Sequence, residues 1–376
     1  MTGIAIRNPF TPTFGTSPPL LVGRQPTLDD FSEAIENGPG SPGRATIFTG
    51  QRGVGKTVML NKVEDLARER GWAIISETAS AGFVTRLVTE HLPGLLQEVD
   101  PDATKRRLAG LTGPFNLGGA NWTSADTHQV TMGLRTQLQL AIDLLMQDDV
   151  GLLITLDELH RQQVEELGEL AVALQHAFRQ DLDFAFAGAT LPAAFKDLLK
   201  VPGLTFLRRA EHQPLGAVSL DEVAAAIRQP ILERGRTISE AVCQGAAVAT
   251  GGYPFMIQLV GYHIWRQHPK DEDISVSDVT AGITAARRRL GSLVHEPELE
   301  DLSDVDRTFL LAMAKDDGPS KMADIAARMS VDMNYAGQYR LRLLAAEVIL
   351  APRIGVVDFA TPYLREYLRD HGASTA

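Results

Sequence analysis

The residues best equipped for chemistry form one short stretch, Gly50-Gln51-Arg52-Gly53-Val54-Gly55-Lys56-Thr57. Thr46-Ile47-Phe48-Thr49 precedes it with the character of a strand, and Leu60, Val63 and Leu66 follow at helical spacing. A G-x-x-x-x-G-K-T sequence between strand and helix is a phosphate-binding loop. Glycines let the backbone turn its amides toward an anion, and the helix that follows offers its positive end. Lys56 adds a point charge for β and γ phosphates, and the Thr57 hydroxyl suits Mg²⁺. Gly50 through Val58 are therefore the expected triphosphate-binding residues.

A second group of candidates lies downstream. Gly151-Leu152-Leu153-Ile154-Thr155-Leu156-Asp157-Glu158 is an apolar run closing on two carboxylates, the pattern of a strand buried on both faces. Asp157 can hold Mg²⁺ and Glu158 can polarise an attacking water or take its proton. Thr190 ends the next apolar run, Phe184 to Thr190. Its hydroxyl could reach a γ phosphate or the lytic water, or it could cap the helix beginning Leu191-Pro192. Arg208 and Arg209 close a further segment, Leu204 to Arg209, read as a strand end. They could reach a neighbouring subunit's phosphates as an arginine finger, or form a solvated charge pair.

Strands alternating with helices must position these groups. The fold class is α/β: a parallel sheet with helices on both faces, whose ligands sit beyond the carboxyl ends of the strands. Residues 1–19 read as an extended Pro/Thr/Gly-rich arm, and 20–216 as the phosphate-loop core. Within the core, a helical pattern from Phe83 to Val99 is interrupted at Pro93-Gly94, and a helix is expected from Gln129 to Met146. Between them, 101–126 reads as an inserted loop around Lys105-Arg106-Arg107, either a partner contact or a solvated surface insertion. Residues 217–295 carry only helical patterns and read as a lid, and the polar stretch Val294 to Glu300 reads as a separator. Residues 301–376 hold three helices and a hairpin, the outline of a winged helix-turn-helix.

Composition narrows the class. The 376 residues, 44% hydrophobic and 22% charged, are ordinary globular material long enough for two or three domains. A net charge of -11 repels nucleic acid and anionic membrane from the molecule as a whole, so only a local basic patch would bind them. Cys243 is the single cysteine and reads as a small buried apolar residue in a reducing cytoplasm. The start of the sequence, broken by Pro9, Pro12, Pro18 and Pro19, lacks a signal-peptide pattern, and no apolar run reaches membrane-span length.

The phosphate loop, the Leu153-to-Glu158 strand, the Thr190 strand end and the all-helical segment together resemble the AAA+ superfamily. Val22-Gly23-Arg24 and Gly251-Gly252-Tyr253-Pro254-Phe255 resemble its origin-recognition-complex-like and archaeal-ATPase branch, which shades into the STAND signalling ATPases and often ends in a winged helix. The resemblance implies ATP as the nucleotide, Arg24 on its adenine side and Pro254 touching it from the lid. Where many AAA+ proteins place a lid arginine, this chain has Tyr253-Pro254.

The expected activity is ATP hydrolysis with Mg²⁺, coupled to motion of lid and winged helix for duplex DNA or protein binding, through self-association. The alternative is a slow STAND-like switch that gates protein docking with little turnover. Arg340 and Arg342 on the third C-terminal helix could read a DNA groove or be ordinary solvated residues, for Asp332 and Glu347 bracket them.

Overall fold

The computed structural model describes residues 7–13, 15–99, 132–180 and 182–372. The expected loop 101–126, its Lys105-Arg106-Arg107 cluster and Gln129 lie outside the described residues. The chain divides into two compact units, one of residues 27–49 and 59–213, the other of 1–26, 50–58 and 214–376.

The first unit is built on α1 (Gln25–Glu36), β1 (Ala45–Thr49), α2 (Lys56–Glu69) and β2 (Ala73–Thr78). After these come α3 (Phe83–Arg86), α4 (Leu92–Val99), α5 (Leu134–Leu145), β3 (Leu152–Asp157) and α6 (Val164–Phe178). The last elements are β4 (Phe184–Thr190), α7 (Pro192–Leu198) and β5 (Glu211–Pro214). The sheet order is β2-β3-β4-β1-β5, with β2, β3, β4 and β1 paired in parallel. The two most apolar runs take the middle of this sheet. All seven residues of β4 and the first five of β3 are buried, because helices cover both faces and leave no polar side for alternation. Leu138, Ile142, Leu170 and Leu174 from α5 and α6 join Leu152, Ile154, Phe184 and Phe186 in one core.

One arginine sets where the phosphate-loop strand begins. Arg44 is buried, donates from Nε to the Ala34 carbonyl at 3.0 Å and from Nη2 to that of Ile35 at 2.9 Å, and pairs with Asp183 at 2.9 Å. It thus satisfies the last carbonyls of α1 while tying β1 to the residue just before β4.

The second unit contains α8 (Leu220–Glu233), β6 (Thr237–Ile238), α9 (Glu240–Val248), α10 (Pro254–Trp265), β7 (Asp273–Ile274) and α11 (Val276–Leu290). It continues through α12 (Glu296–Glu300), α13 (Asp304–Ala314), β8 (Ser320–Lys321), α14 (Met322–Met329) and α15 (Met333–Ala345). It closes with β9 (Ile349–Arg353), β10 (Val356–Phe359) and α16 (Leu364–His371). Phe309, Leu310, Ile325, Leu343, Val357 and Leu364 are part of the core of residues 299–368, with β8-β10-β9 as its sheet. Cys243 is buried, as its type suggested.

Several expectations need correction. Leu204 to Arg209 is not a strand: Thr205–Arg208 is a 3-10 turn, and the fifth strand follows it. The helix is not broken at Pro93 but passes through a π-helical turn, Leu87–His91, just before it, a departure that accommodates the N–H proline lacks. The segment 217–295 is not purely helical, since β6 and β7 pair in parallel. The Val294-to-Glu300 stretch is no open linker: α11 passes through a π-helical turn, Gly291–His295, straight into α12. The N-terminal residues are tethered to α10, with Asn8 donating to the Tyr262 carbonyl at 3.0 Å and the Phe10 ring packed against Gly261.

Candidate functional site

The phosphate loop lies within the second unit. Gly53 and Gly55 have φ of 73° and 94°, a conformation that side-chain-bearing residues rarely adopt, so the turn depends on glycine there. Lys56 Nζ donates to the carbonyls of Gly50 and Gln51, at 2.8 and 3.0 Å. The ammonium is thereby held back against the loop it follows. Thr57 and Val58 continue the first turn of α2.

The start of α10 is fastened to this loop. The Tyr253 phenol donates to the Arg52 carbonyl at 2.9 Å, and the Phe255 N–H donates to the Gly53 carbonyl at 3.2 Å. Burial, with the Glu298 carboxylate adding to it, pushes the Tyr253 phenol well above its ordinary value, so it stays a neutral donor. Pro254, the residue implied to touch nucleotide, opens α10 between those two contacts. Arg24 is buried and donates to the Gly216 carbonyl at 2.5 Å. Burial lowers its pKa, and Glu222 opposes the shift.

The second group of candidates lies in the first unit, at the carboxyl edge of the sheet. Asp157 ends β3 and Thr190 ends β4, where Thr190 is level with Thr49, the last residue of β1. Glu158 is exposed with φ of 57°, a strained left-handed backbone of the kind concentrated at functional sites. Its N–H donates to Asp157 Oδ1 at 2.8 Å. The next residue is clamped twice: the Leu159 N–H donates to the Ala189 carbonyl at 2.9 Å, and Thr190 Oγ1 donates to the Leu159 carbonyl at 2.6 Å. Thr190 does not cap the helix after it, for Leu191 is the N-cap and makes no side-chain cap bond.

Arg208 and Arg209 precede β5. Arg208 donates from Nε and Nη2 to the Leu199 carbonyl, at 3.2 and 2.7 Å, and so closes the end of α7. Two residues at these sites went unsuspected in the sequence. His212 Nε2 is 2.6 Å from Thr49 Oγ1, beside the Phe195 ring, and burial lowers its pKa. Glu298 is the other. No motif marks either, since each is brought to its partner by the fold.

The sheet order and the loop define a P-loop NTPase α/β core. Residues 20–186 match the AAA ATPase domain family, and residues 292–368 match a domain of unknown function, DUF8462. No curated protein matches the sequence. Among solved structures, the Walker-type ATPase PABY2304 of Pyrococcus abyssi is similar at TM-score 0.63 and 15% identity, over 93% of this chain and 96% of that one. The Aeropyrum pernix ORC2 protein, in ADPNP–ADP complexes, is similar at TM-score 0.58 and 14% identity, over 97% and 98%. Residues 20–186 thus match an AAA ATPase domain model, and the fold is similar to that of the Pyrococcus abyssi Walker-type ATPase and the Aeropyrum pernix ORC2 protein. Among the described residues no helix is long and apolar enough to cross a membrane.

Proposed function

We propose that this protein is a cytoplasmic, Mg²⁺-dependent ATPase that couples nucleotide state to the setting of a helical lid, residues 217–295, and a C-terminal winged-helix module. The observation that carries this is the glycine-shaped loop with Lys56 drawn over its first carbonyls. The ADPNP–ADP complexes of the similar Aeropyrum pernix protein support adenine nucleotides as ligands.

In this reading the loop amides and Lys56 hold the phosphates, while Arg24 and Pro254 face the adenine. Thr57 and Asp157 would hold Mg²⁺, which when bound neutralises charge on the β and γ oxygens. One hydroxyl and one carboxylate suit an ion that keeps several waters and shares phosphate oxygens. Glu158 accepts a proton from the attacking water as the bond from the γ phosphorus to its bridging oxygen breaks. Thr190, already bonded to Leu159, holds the turn that carries Glu158. Since Arg208 is engaged with Leu199, Arg209 is the better candidate to act on a neighbouring copy's nucleotide.

The winged-helix reading supports a protein partner better than duplex DNA. Arg342 pairs with the buried Asp306 at 2.9 Å and lies over the Tyr339 ring, whereas Met333, Leu341 and Ile354 are exposed. A basic reading face would need free cations for phosphate contact. This observation keeps the second reading alive, a slow nucleotide switch that gates docking. Steady-state turnover with and without duplex DNA, together with ADP retention, is the test. DNA-stimulated turnover supports a DNA-directed motor, and tight ADP retention with negligible turnover supports the switch. Absence of any adenine nucleotide binding would sink both.

A further inference from the structure

We propose that Tyr363, in the C-terminal module, is a positioning residue for the phosphate loop, setting the loop's crown through the turn of residues 249–253. This rests on the loop being the nucleotide site, and adds to it a hydrogen-bonded route by which that site and the module influence one another.

The pieces all lie in one unit. At one end of the turn, the Tyr363 phenol donates to the Ala249 carbonyl at 2.6 Å. Ala249 is the C-cap of α9, so this carbonyl is one that the helix cannot satisfy itself. At the other end, the Tyr253 phenol donates to the Arg52 carbonyl at 2.9 Å, and the Phe255 N–H donates to that of Gly53 at 3.2 Å. One phenol thus grips the turn, and a second, carried by the turn, grips the loop.

Between these bonds the chain has little freedom to absorb a displacement. Thr250 is buried, and its Oγ1 donates to the Ala247 carbonyl at 2.7 Å and accepts from the Gly252 N–H at 3.1 Å. The Tyr253 N–H donates to the Thr250 carbonyl at 3.1 Å, and the Val218 N–H donates to that of Gly252 at 2.8 Å. Gly251 and Gly252 have φ of 59° and 73°, and a Cβ at Gly252 would lie 2.3 Å from the Val218 carbonyl oxygen. A segment held this closely moves as a piece, because packed interiors transmit strain.

Tyr363 is itself firmly set. It is the N-cap of α16 with φ of 66°, a left-handed backbone that a bulky residue keeps only where its surroundings fix it, and such strain concentrates at functional positions. The Arg287 guanidinium lies over its ring, 5.6 Å from the centroid. Burial raises the pKa of the phenol against the pull of Arg287, so the group stays a neutral donor.

The consequence is linkage. Without the Tyr363 hydroxyl, the Ala249 carbonyl loses its bond and the turn that carries Tyr253 loosens. A shift that nucleotide imposes on the loop crown returns along the same bonds to Tyr363. Occupancy of the loop and the setting of the module must then change each other by the same factor.

The test is a double-mutant cycle on the full chain, with Tyr363→Phe and Tyr253→Phe each removing one hydroxyl and keeping its ring. The readout is hydrogen exchange of the Gly50-to-Lys56 amides, measured without nucleotide. In Tyr363→Phe these amides should exchange about fivefold faster, the worth of one neutral hydrogen bond. Adding Tyr363→Phe to Tyr253→Phe should change loop exchange far less. A purely structural bond would loosen the turn and leave the loop amides as they were. Unchanged loop exchange in Tyr363→Phe, or equal quickening with and without the Tyr253 hydroxyl, would therefore overturn the proposal. ATP titration of the wild-type protein reads the nucleotide assignment separately: if ATP does not bind, that assignment fails while the exchange data still decide the role of Tyr363.

Discussion

Tyr253 and Arg52, 201 residues apart in sequence, are joined by a 2.9 Å hydrogen bond from phenol to carbonyl. The N-cap residue of α10 is thereby fixed to the crown of the phosphate loop. The bond is neutral and buried, so it contributes about 1 kcal/mol and geometric definition more than long-range attraction.

Gly53 is where this contact leaves least room. A Cβ there would come within 2.1 Å of the Tyr253 hydroxyl oxygen, at a φ of 73°. Gly53→Ala should cost at least ~1–2 kcal/mol in backbone strain alone and push Tyr253 off the loop. Thermal unfolding should show the loss, and ATP titration should show weakened binding. Tyr253→Phe should cost only ~1 kcal/mol and alter ATP affinity several-fold.

Lys56→Ala should reduce ATP affinity to near the detection limit, since it removes the ammonium that the loop holds over its first carbonyls. Glu158→Gln should bind ATP normally while single-turnover cleavage falls about 100-fold or more, the usual contribution of a positioned general base. An unchanged cleavage rate would show that another group orients the water.

Thr190→Val should remove the bond to Leu159 and leave a carbonyl at a buried sheet edge unpaired, at ~1–3 kcal/mol. Because that carbonyl belongs to the residue after Glu158, kcat should fall while ATP affinity holds. Thr190→Ser should restore both stability and rate. Equal rates in the valine and wild-type proteins would remove Thr190 from the mechanism.

His295 makes stability depend on pH. It is buried, neither ring nitrogen has a hydrogen-bond partner among the described residues, and burial pushes its pKa down to about 4. The unfolded chain takes up a proton near pH 6.5 and the folded one resists until about pH 4. Stability from this group is therefore full above pH 6.5, falls as the solution is acidified, and levels off below about pH 4. Denaturant titrations should find the wild type about 2 kcal/mol less stable at pH 5 than at pH 7.5 from this source. His295→Leu should flatten that slope.

The phosphate loop and the strands before and after it were legible because local chemistry specifies them. Glycine alone accepts φ near 73° and 94° at Gly53 and Gly55, and an unbroken apolar run such as Leu152–Leu156 has few places to go except between two helical layers. The edge strand β5 was illegible for the opposite reason. Glu211-His212-Gln213-Pro214 is polar and mostly exposed, and only its place beside β1 makes it a strand. Leu204 to Arg209 has the apolar start of a strand, yet Arg208 turns back to the Leu199 carbonyl and the segment coils.

The sequence by itself determined a triphosphate-type loop between strand and helix, an acidic strand end, a parallel α/β core, and the order of elements in the C-terminal region. Tertiary structure alone decided that Thr190 holds the turn after Glu158, that Tyr253 grips Arg52, that Arg342 is spent on Asp306, and that Thr361 bonds half-buried Glu298. The division has one physical cause. Backbone conformation and burial preference are written into neighbouring residues, whereas a hydrogen bond or charge contact between distant residues exists only once the chain has closed around it.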